Sequence, residues 1–474
     1  MNMDTTQATG TSLLEQPQAL ALLAEAKVTG LQVDHCIQRL DQFVKRYLPW
    51  FYRVEQRDNA RLVIRGLLSG LERKTAEPIA RAAGVQRKPI QFFVGNGKWD
   101  DEAVMGELRR HVVEVMGDPA AALVFDPSTF PKKGTHSCGV ARTWCGRLGK
   151  KENCQVGLFL GYATERGQAP LDRRLYLPKD WARDRKRRAA GHVPEAVKFQ
   201  ERWRMALDML DTHRQVIPHR WVLADDEFGR TQDFRAGLRQ RKEAYVLDVP
   251  CSTLVRDLEI PRPPRRAGSK SRHRAVPFRN AQDWAAAQTP EKWREIHVKD
   301  GEKGPLTVRA IMTRVQTRFH SRLGPQEWLL ALRTPEGEVS YHLAWAPWAV
   351  TLEEAVAAHG RRHQIEQVFQ HGKGEAGLDH YEVRSYVGWH HHMTLSLVAL
   401  WFLCQERLAQ KKNARDDRAP TAGDIHTSAA LSRTQPAHHR PRNHRRPDPQ
   451  PRVPHLRLAR TYRPIPATTE FAAA

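Results

Sequence analysis

Two short apolar runs, AALVFD at 121–126 and WVLAD at 221–225, each close on an aspartate, Asp126 and Asp225. Apolar runs of this length bounded by turn residues read as strands, so each aspartate stands at a strand end. A third carboxylate, Glu366, lies in AHGRRHQIEQVFQHGKGE, where Ile365, Val368 and Phe369 recur at helical spacing. Arg362, Glu366 and Lys373 lie near one another on another face of that helix. Two strand-end carboxylates and one helix carboxylate supply the hard oxygen ligands that divalent metal ions need. Taken alone, Arg362 and Glu366 also have the i,i+4 spacing of an ordinary solvent-facing ion pair.

Further strands are predicted at CQVGLFLGYA (154–163), DRRLYL (172–177) and AYVLDV (244–249), with helices at 194–210 and 232–240. That succession of strands and helices is a mixed α/β order. The stretch PSTFPKKGTHSCGVARTWCGRLGKKEN between the first two strands is turn-rich and basic, which suits the rim of a site. WLLALR (328–333) and VSYHLAW (339–345) read as a hairpin across TPEGE. The expected organisation is a loose N-terminus (1–19), a helical region (20–117), an α/β core (118–250), a strand- and loop-rich insertion (251–350), closing helices (351–410) and a basic tail (411–474). In the helical region, Leu31, Val33, Cys36, Leu40 and Phe43 form a buried stripe. Within KTAEPIARAAGVQRKPIQFFVGNGKW, a short helix, a stop at Gly84 and a second helix near Pro89 have the spacing of a helix-turn-helix or of a plain helix pair.

Charge names the class of partner. Lys and Arg number 76 against 53 Asp and Glu, a net +23, and nucleic acid is the first acidic partner to expect. Candidate phosphate contacts are Arg87 and Lys88 on the helix pair, Lys132 and Lys133 in the basic rim, and Arg183, Arg185, Lys186, Arg187 and Arg188 in RDRKRR. The arm at 259–280 adds Arg262, Arg265, Arg266 and Lys270, with seven Lys or Arg and four prolines against one Glu. The tail from Lys411 holds nine prolines, only seven Leu, Ile, Val or Phe, and a net +8, so it is expected to be disordered. The apolar run Met393–Cys404 is too short for a membrane span, and no basic segment followed by an apolar one opens the chain, so export is not expected. The six cysteines make no disulfide framework and suit a reducing cytoplasm. His136, Cys138, Cys145 and Cys154 match no tight zinc spacing. Trp389 reads as a packing tryptophan rather than a base-stacking one.

The residues His359, Arg362, Glu366 and Lys373 stand in the spacing Tyr-x2-Arg-x3-Glu-x6-Lys, with His359 in place of the tyrosine. With FDPSTFPKKG around Asp126, WVLADDEFG around Asp225, GKKENCQVGLFLGYA, RRLYLPKDWARDRKRR, RGLLSGLERKTAEPIA and GLDHYEVRSYVGWHHHMTL, the chain resembles bacterial insertion-sequence transposases of the DDE type over about residues 40–410. The resemblance implies a ribonuclease-H-like domain with a strand-rich insertion between the second aspartate and the glutamate. It further implies Asp126, Asp225 and Glu366 as catalytic metal ligands, with two Mg²⁺ ions, Mn²⁺ substituting. Arg362 and Lys373 would position DNA near the cut, and the loss of the tyrosine at His359 alters a local DNA contact. Asp225 rather than Asp226 is selected by the family's A-D-x-x-aromatic-G pattern and by the alternation of side chains along a strand. The expected activity is cutting and joining of double-stranded DNA, with self-association on DNA, in the bacterial cytoplasm at the nucleoid. A metal-dependent nuclease without strand transfer and an inactive DNA-binding regulator on the same scaffold are the alternatives.

Overall fold

The structure, a computed structural model, describes residues 30–261, 276–301, 304–319 and 322–413. The 1–19 terminus, the arm residues Arg262, Arg265, Arg266 and Lys270, and the tail beyond 413 lie outside the described residues.

Among the described residues five α-helices come first: α1 (Gly30–Lys45), α2 (Val54–Leu67), α3 (Ala76–Ala83), α4 (Arg87–Gly95) and α5 (Asp101–Met116). Gly84 ends α3 in the left-handed conformation at φ 67°, which a glycine adopts without cost, and α4 starts three residues later. Val33, Cys36, Leu40 and Phe43 are buried as their spacing predicts. These helices do not make a separate core. Phe43 meets Phe402 with ring centroids 5.3 Å apart, and Trp99 stacks on His391 at 3.8 Å. Both partners belong to the last helix, α13 (Tyr386–Asn413), so the change at 117/118 is one of secondary structure and not of core. Trp389 is buried there too.

The sheet follows: β1 (Ala122–Pro131), β2 (Ala141–Cys145), β3 (Lys150–Ala163) and β4 (Gln168–Leu175). Two short helices, α6 (Lys179–Arg183) and α7 (Arg185–Ala190), precede α8 (Arg202–His213), β5 (Trp221–Ala224), α9 (Asp226–Gly229), α10 (Gln232–Gln240) and β6 (Tyr245–Val249). β3 runs antiparallel to β1, while β1, β5 and β6 are parallel neighbours, and β4 pairs with the far side of β3. Parallel strands covered on both faces need apolar residues throughout, and Ala122–Phe125 and Trp221–Ala224 are buried without a break. This mixed α/β arrangement agrees with the ribonuclease-H-like fold that the resemblance implies.

Two expectations are corrected. β1 continues to Pro131 although Pro127 and Pro131 lie in it. Its pairing with β5 ends at Phe125, so the prolines fall where β1 has lost that neighbour and need donate no ladder hydrogen bond on that side. The helix expected at 194–210 begins only at Arg202. The carbonyls of Pro194 and Val197 instead accept from the Arg188 guanidinium at 2.9 and 2.8 Å, which holds the chain in an irregular path. The strand- and loop-rich insertion joins the core's own sheet. Its strands β7 (Leu254–Asp257), β8 (Arg279–Asn280), β9 (Arg294–Gly301), β10 (Gly304–Phe319), β11 (Arg322–Arg333) and β12 (Val339–Trp345) extend the same sheet, with β12 antiparallel to β6. Around a short helix α11 (Ala281–Ala286) they build a second apolar cluster that includes Trp284, Trp293 and Leu329. The long helix α12 (Leu352–Glu375) follows, opened by a capping box of Thr351 and Glu354. No described helix is long and apolar enough to cross a membrane.

Candidate active site

Register brings the first two carboxylates together. Phe125 pairs with Ala224 as the last rung of the parallel β1–β5 ladder, so Asp126, still within β1, and Asp225, just past the end of β5, stand side by side. The third arrives from α12. Asp126 lies directly opposite Phe159 on β3, and paired residues project to the same face. Phe159 packs on Phe369 of α12, ring centroids 5.0 Å apart, so Asp126 also faces that helix. Close seating depends on Gly161, where an added Cβ would lie 2.7 Å from the Ile365 side chain. Phe125, one residue before Asp126, projects to the opposite face and meets Phe228 and Phe234 of α9 and α10.

The result is a cleft of about 820 Å³ lined by Asp126, Asp225, Glu366, Lys373, Arg147, Arg202, Glu227 and Trp144 among others. Asp126 has one side-chain hydrogen bond, from the Ser128 hydroxyl at 3.3 Å. Burial, and then the charge of Glu366, push its carboxyl up to about 6 against the pull of Arg362 and Lys373. Asp225 accepts from the Glu227 backbone N–H as the cap of α9. Burial, and then Glu227, push it up to about 7. Neither aspartate has an ion pair within 4.0 Å among the described residues, whereas Glu366 is 2.7 Å from the Arg362 guanidinium. Half-buried carboxylates without a cation of their own are the donor set that a divalent ion fits.

Asp226 does not enter the cleft and pairs with Arg230 on the surface of α9. The reason differs from strand alternation, because Asp226 already belongs to a helix. Lys373 is half-buried with its ammonium 5.5 Å from the Phe130 ring centre, and burial lowers its pKa. Lys132 turns inward: its Nζ lies 3.2 Å from the Tyr381 ring centre and donates to the Tyr381 carbonyl, and burial lowers it to about 8. Lys133 is exposed beside it. The RDRKRR run divides, with Arg183, Arg185 and Lys186 exposed while Arg187 stacks on Trp181 at 4.0 Å and Arg188 braces the 194–197 carbonyls. Arg87 and Lys88 are exposed at the start of α4, Arg87 paired with Glu77 at 3.1 Å.

Trp144 and Arg147 of the turn-rich basic stretch line the cleft, as expected of the rim of a site, whereas Arg202 and Glu227 carried no such signal in sequence. Arg147 meets Asp379 at 2.8 Å, and Arg202 meets Glu227 at 2.5 Å. Only the proximity of Glu227 to Asp225 in ADDEFG could have pointed to it. Behind Arg362 stand Asp248, His342 and His359, whose ligand atoms all lie within 4.8 Å of one another.

Residues 46–305 match the family described as DDE superfamily endonuclease. Over 150 residues the chain is 25% identical to the probable transposase for insertion sequence element IS701 of Microchaete diplosiphon, a match covering 30% of this chain and 38% of that protein.

Proposed function

The chain belongs to the DDE superfamily endonucleases, and from that premise we propose that it is a transposase cutting DNA at the ends of a mobile element and joining the freed 3′ ends to target DNA. The observation that carries this reading is the pair of half-buried, cation-free carboxylates Asp126 and Asp225 facing Glu366 across one cleft. These three would hold two Mg²⁺ ions, or Mn²⁺ in their place. Bound there, they would supply activation of water and stabilisation of the leaving 3′ oxygen of a phosphodiester. The protein's own groups do the positioning. Lys373 stands in the cleft as a compact cation for a non-bridging phosphate oxygen, and Arg147 adds a second on the cleft wall. Arg362 presents a planar guanidinium beside Glu366. The exposed Lys133, Arg183, Arg185 and Lys186 neutralise duplex phosphates, and Arg87 and Lys88 on α4 anchor the duplex at a distance from the cut. Double-stranded DNA is thus the partner, with self-association on it, in the bacterial cytoplasm at the nucleoid.

The test supplies purified protein, Mg²⁺, a labelled duplex carrying the element's own end, and a supercoiled target. Cleaved ends joined to the target are expected. Cleavage without joining would leave a metal-dependent nuclease, and binding without cleavage a DNA-binding regulator.

A further inference from the structure

We propose that Asp248 is a positioning residue of the cleft, acting through Arg362 on Glu366, and that His342 of the insertion's last strand fixes it. The proposal rests on the reading of Glu366 as a metal ligand.

The β6–β12 ladder sets His342 directly across from Asp248. The imidazole is buried, and both of its nitrogens are engaged: Nδ1 lies 2.8 Å from Asp248 Oδ1 and Nε2 lies 2.8 Å from Ser340 Oγ. A carboxylate only accepts, so Nδ1–H donates to Asp248 and the ring is held from both ends. His359 covers this ring at a centroid distance of 4.0 Å. The other carboxylate oxygen, Asp248 Oδ2, lies 2.7 Å from one terminal nitrogen of Arg362, whose other terminal nitrogen lies 2.7 Å from Glu366 Oε1. One guanidinium therefore joins an anchored acid to one that opens into the cleft. The chain runs from a buried imidazole, His342 at 1% side-chain exposure, through Asp248 at 21% and Arg362 at 17%, to Glu366 at 41%.

Asp248, His342 and His359 also have the makings of a metal site, but both oxygens of Asp248 are already satisfied, and the guanidinium stands where a cation would. The group's cation is Arg362. An isolated Arg362–Glu366 pair would compete with any ion for Glu366. A second carboxylate shares the guanidinium and keeps it in place when Glu366 turns into the cleft. The insertion, through β12, thereby supports the third carboxylate.

The experiment measures Mn²⁺ binding to the DNA-free protein by electron paramagnetic resonance, with a thermal melt of each variant. Asp248→Asn is expected to weaken binding about tenfold, at the low end for loss of an outer partner of a metal ligand. In an Arg362→Ala background the same change is expected to have no further effect. An equal loss in both backgrounds would mean that Asp248 acts by its own charge, and wild-type binding by Asp248→Asn would mean that it does not act; either overturns the proposal. If Asp248→Asn does not fold, His342→Gln, which keeps the charge and drops the anchor, is read through the same cycle. It is expected to give a smaller loss that also vanishes without Arg362, and a loss that persists there overturns the proposal. Glu366→Gln separates the two readings: wild-type Mn²⁺ binding by that variant would remove Glu366 from the metal site, whatever Asp248 does.

Discussion

Asp172 and Asp126 lie on strands that flank β3, opposite Leu160 and Phe159, and their surroundings are opposite. Asp172 is closed off from water and fully compensated. His213 lies 2.8 Å away, Arg173 3.3 Å and Arg109 3.8 Å. Against the cost of burial, His213, Arg173 and Arg109 hold its carboxyl far below the usual range. Arg173 in turn pairs with Asp101 and Glu102 and donates to Thr394 of α13 at 2.9 Å, so the network ties sheet to helices. Asp126 has a hydroxyl and a neighbouring acid, and its carboxyl rises to about 6. A closed set of charges serves architecture. An uncompensated one is costly to the fold and persists where function requires it.

Neutralising each acid in turn should separate the two roles, and the largest effect is expected at Asp126. Asp126→Asn should lower Mg²⁺-dependent cleavage at least about a thousandfold while duplex binding holds and the melting temperature does not fall, since it removes a costly charge and keeps an oxygen for the Ser128 hydroxyl. Cleavage at the wild-type rate in a gel assay would place Asp126 among the merely buried. Asp172→Asn should do the reverse and cost about 3–5 kcal/mol of stability, because His213, Arg173 and Arg109 lose their shared anion. A denaturant melt within 0.5 kcal/mol of wild type would show the network to be dispensable (about the scatter of a neutral surface change).

The comparison also has a pH signature. Asp126 and Asp225 have folded pKa values of about 6 and about 7 against 3.8 for the free side chain, so the folded state binds their protons more tightly. Their contribution to stability is greatest below pH 4 and is lost as pH rises through 6 to 7. Metal-free protein should therefore lose on the order of 5 kcal/mol between pH 4 and pH 8 from these groups, a loss that Asp126→Asn with Asp225→Asn removes. Asp172, with its depressed pKa, works the other way: its stabilisation is present above the usual carboxylate range and is lost only on strong acidification. Melts across pH of the wild type and the double variant check both signs.

The smallest effect concerns the outer surface. Replacing Arg87 and Lys88 with Gln should flatten the log–log salt dependence of duplex binding by about 0.9 per lost phosphate contact, and leave cleavage by bound protein unchanged. An unchanged slope in a binding titration would place α4 away from DNA.

The contrast between the two aspartates was only half legible in the sequence. The apolar runs that end at Asp126 and Asp225 announced buried strands, and 232–240 was readable as a helix to the residue, because periodicity and burial agree there. The carboxylates of the cleft stood out because each closes a run or sits in a spaced motif. Asp172 in DRRLYL gave no sign that His213 and Arg109 would meet it, since those contacts exist only after β4 packs against α5 and α8. Asp248 and His342 were hidden for the same reason: a strand register brings them together, and no local pattern encodes it. Lys132 shows the opposite limit, a lysine in a basic turn whose aromatic neighbour drew it inward.

The most direct test of the account lies at Glu366, the carboxylate that comes from a helix and already holds a cation. Glu366→Gln keeps the side chain's size and polar atoms, and Asp248 still holds the Arg362 guanidinium, so the melt should stay near wild type; an i,i+4 pair on a helix is worth only about 0.3–0.5 kcal/mol. Mg²⁺-dependent cleavage of a labelled duplex bearing the element's end is the measurement. Loss of both nicking and joining by a folded Glu366→Gln protein is the predicted result. Near-wild-type cleavage by that same folded protein would contradict it and leave Arg362 and Glu366 an ordinary surface pair.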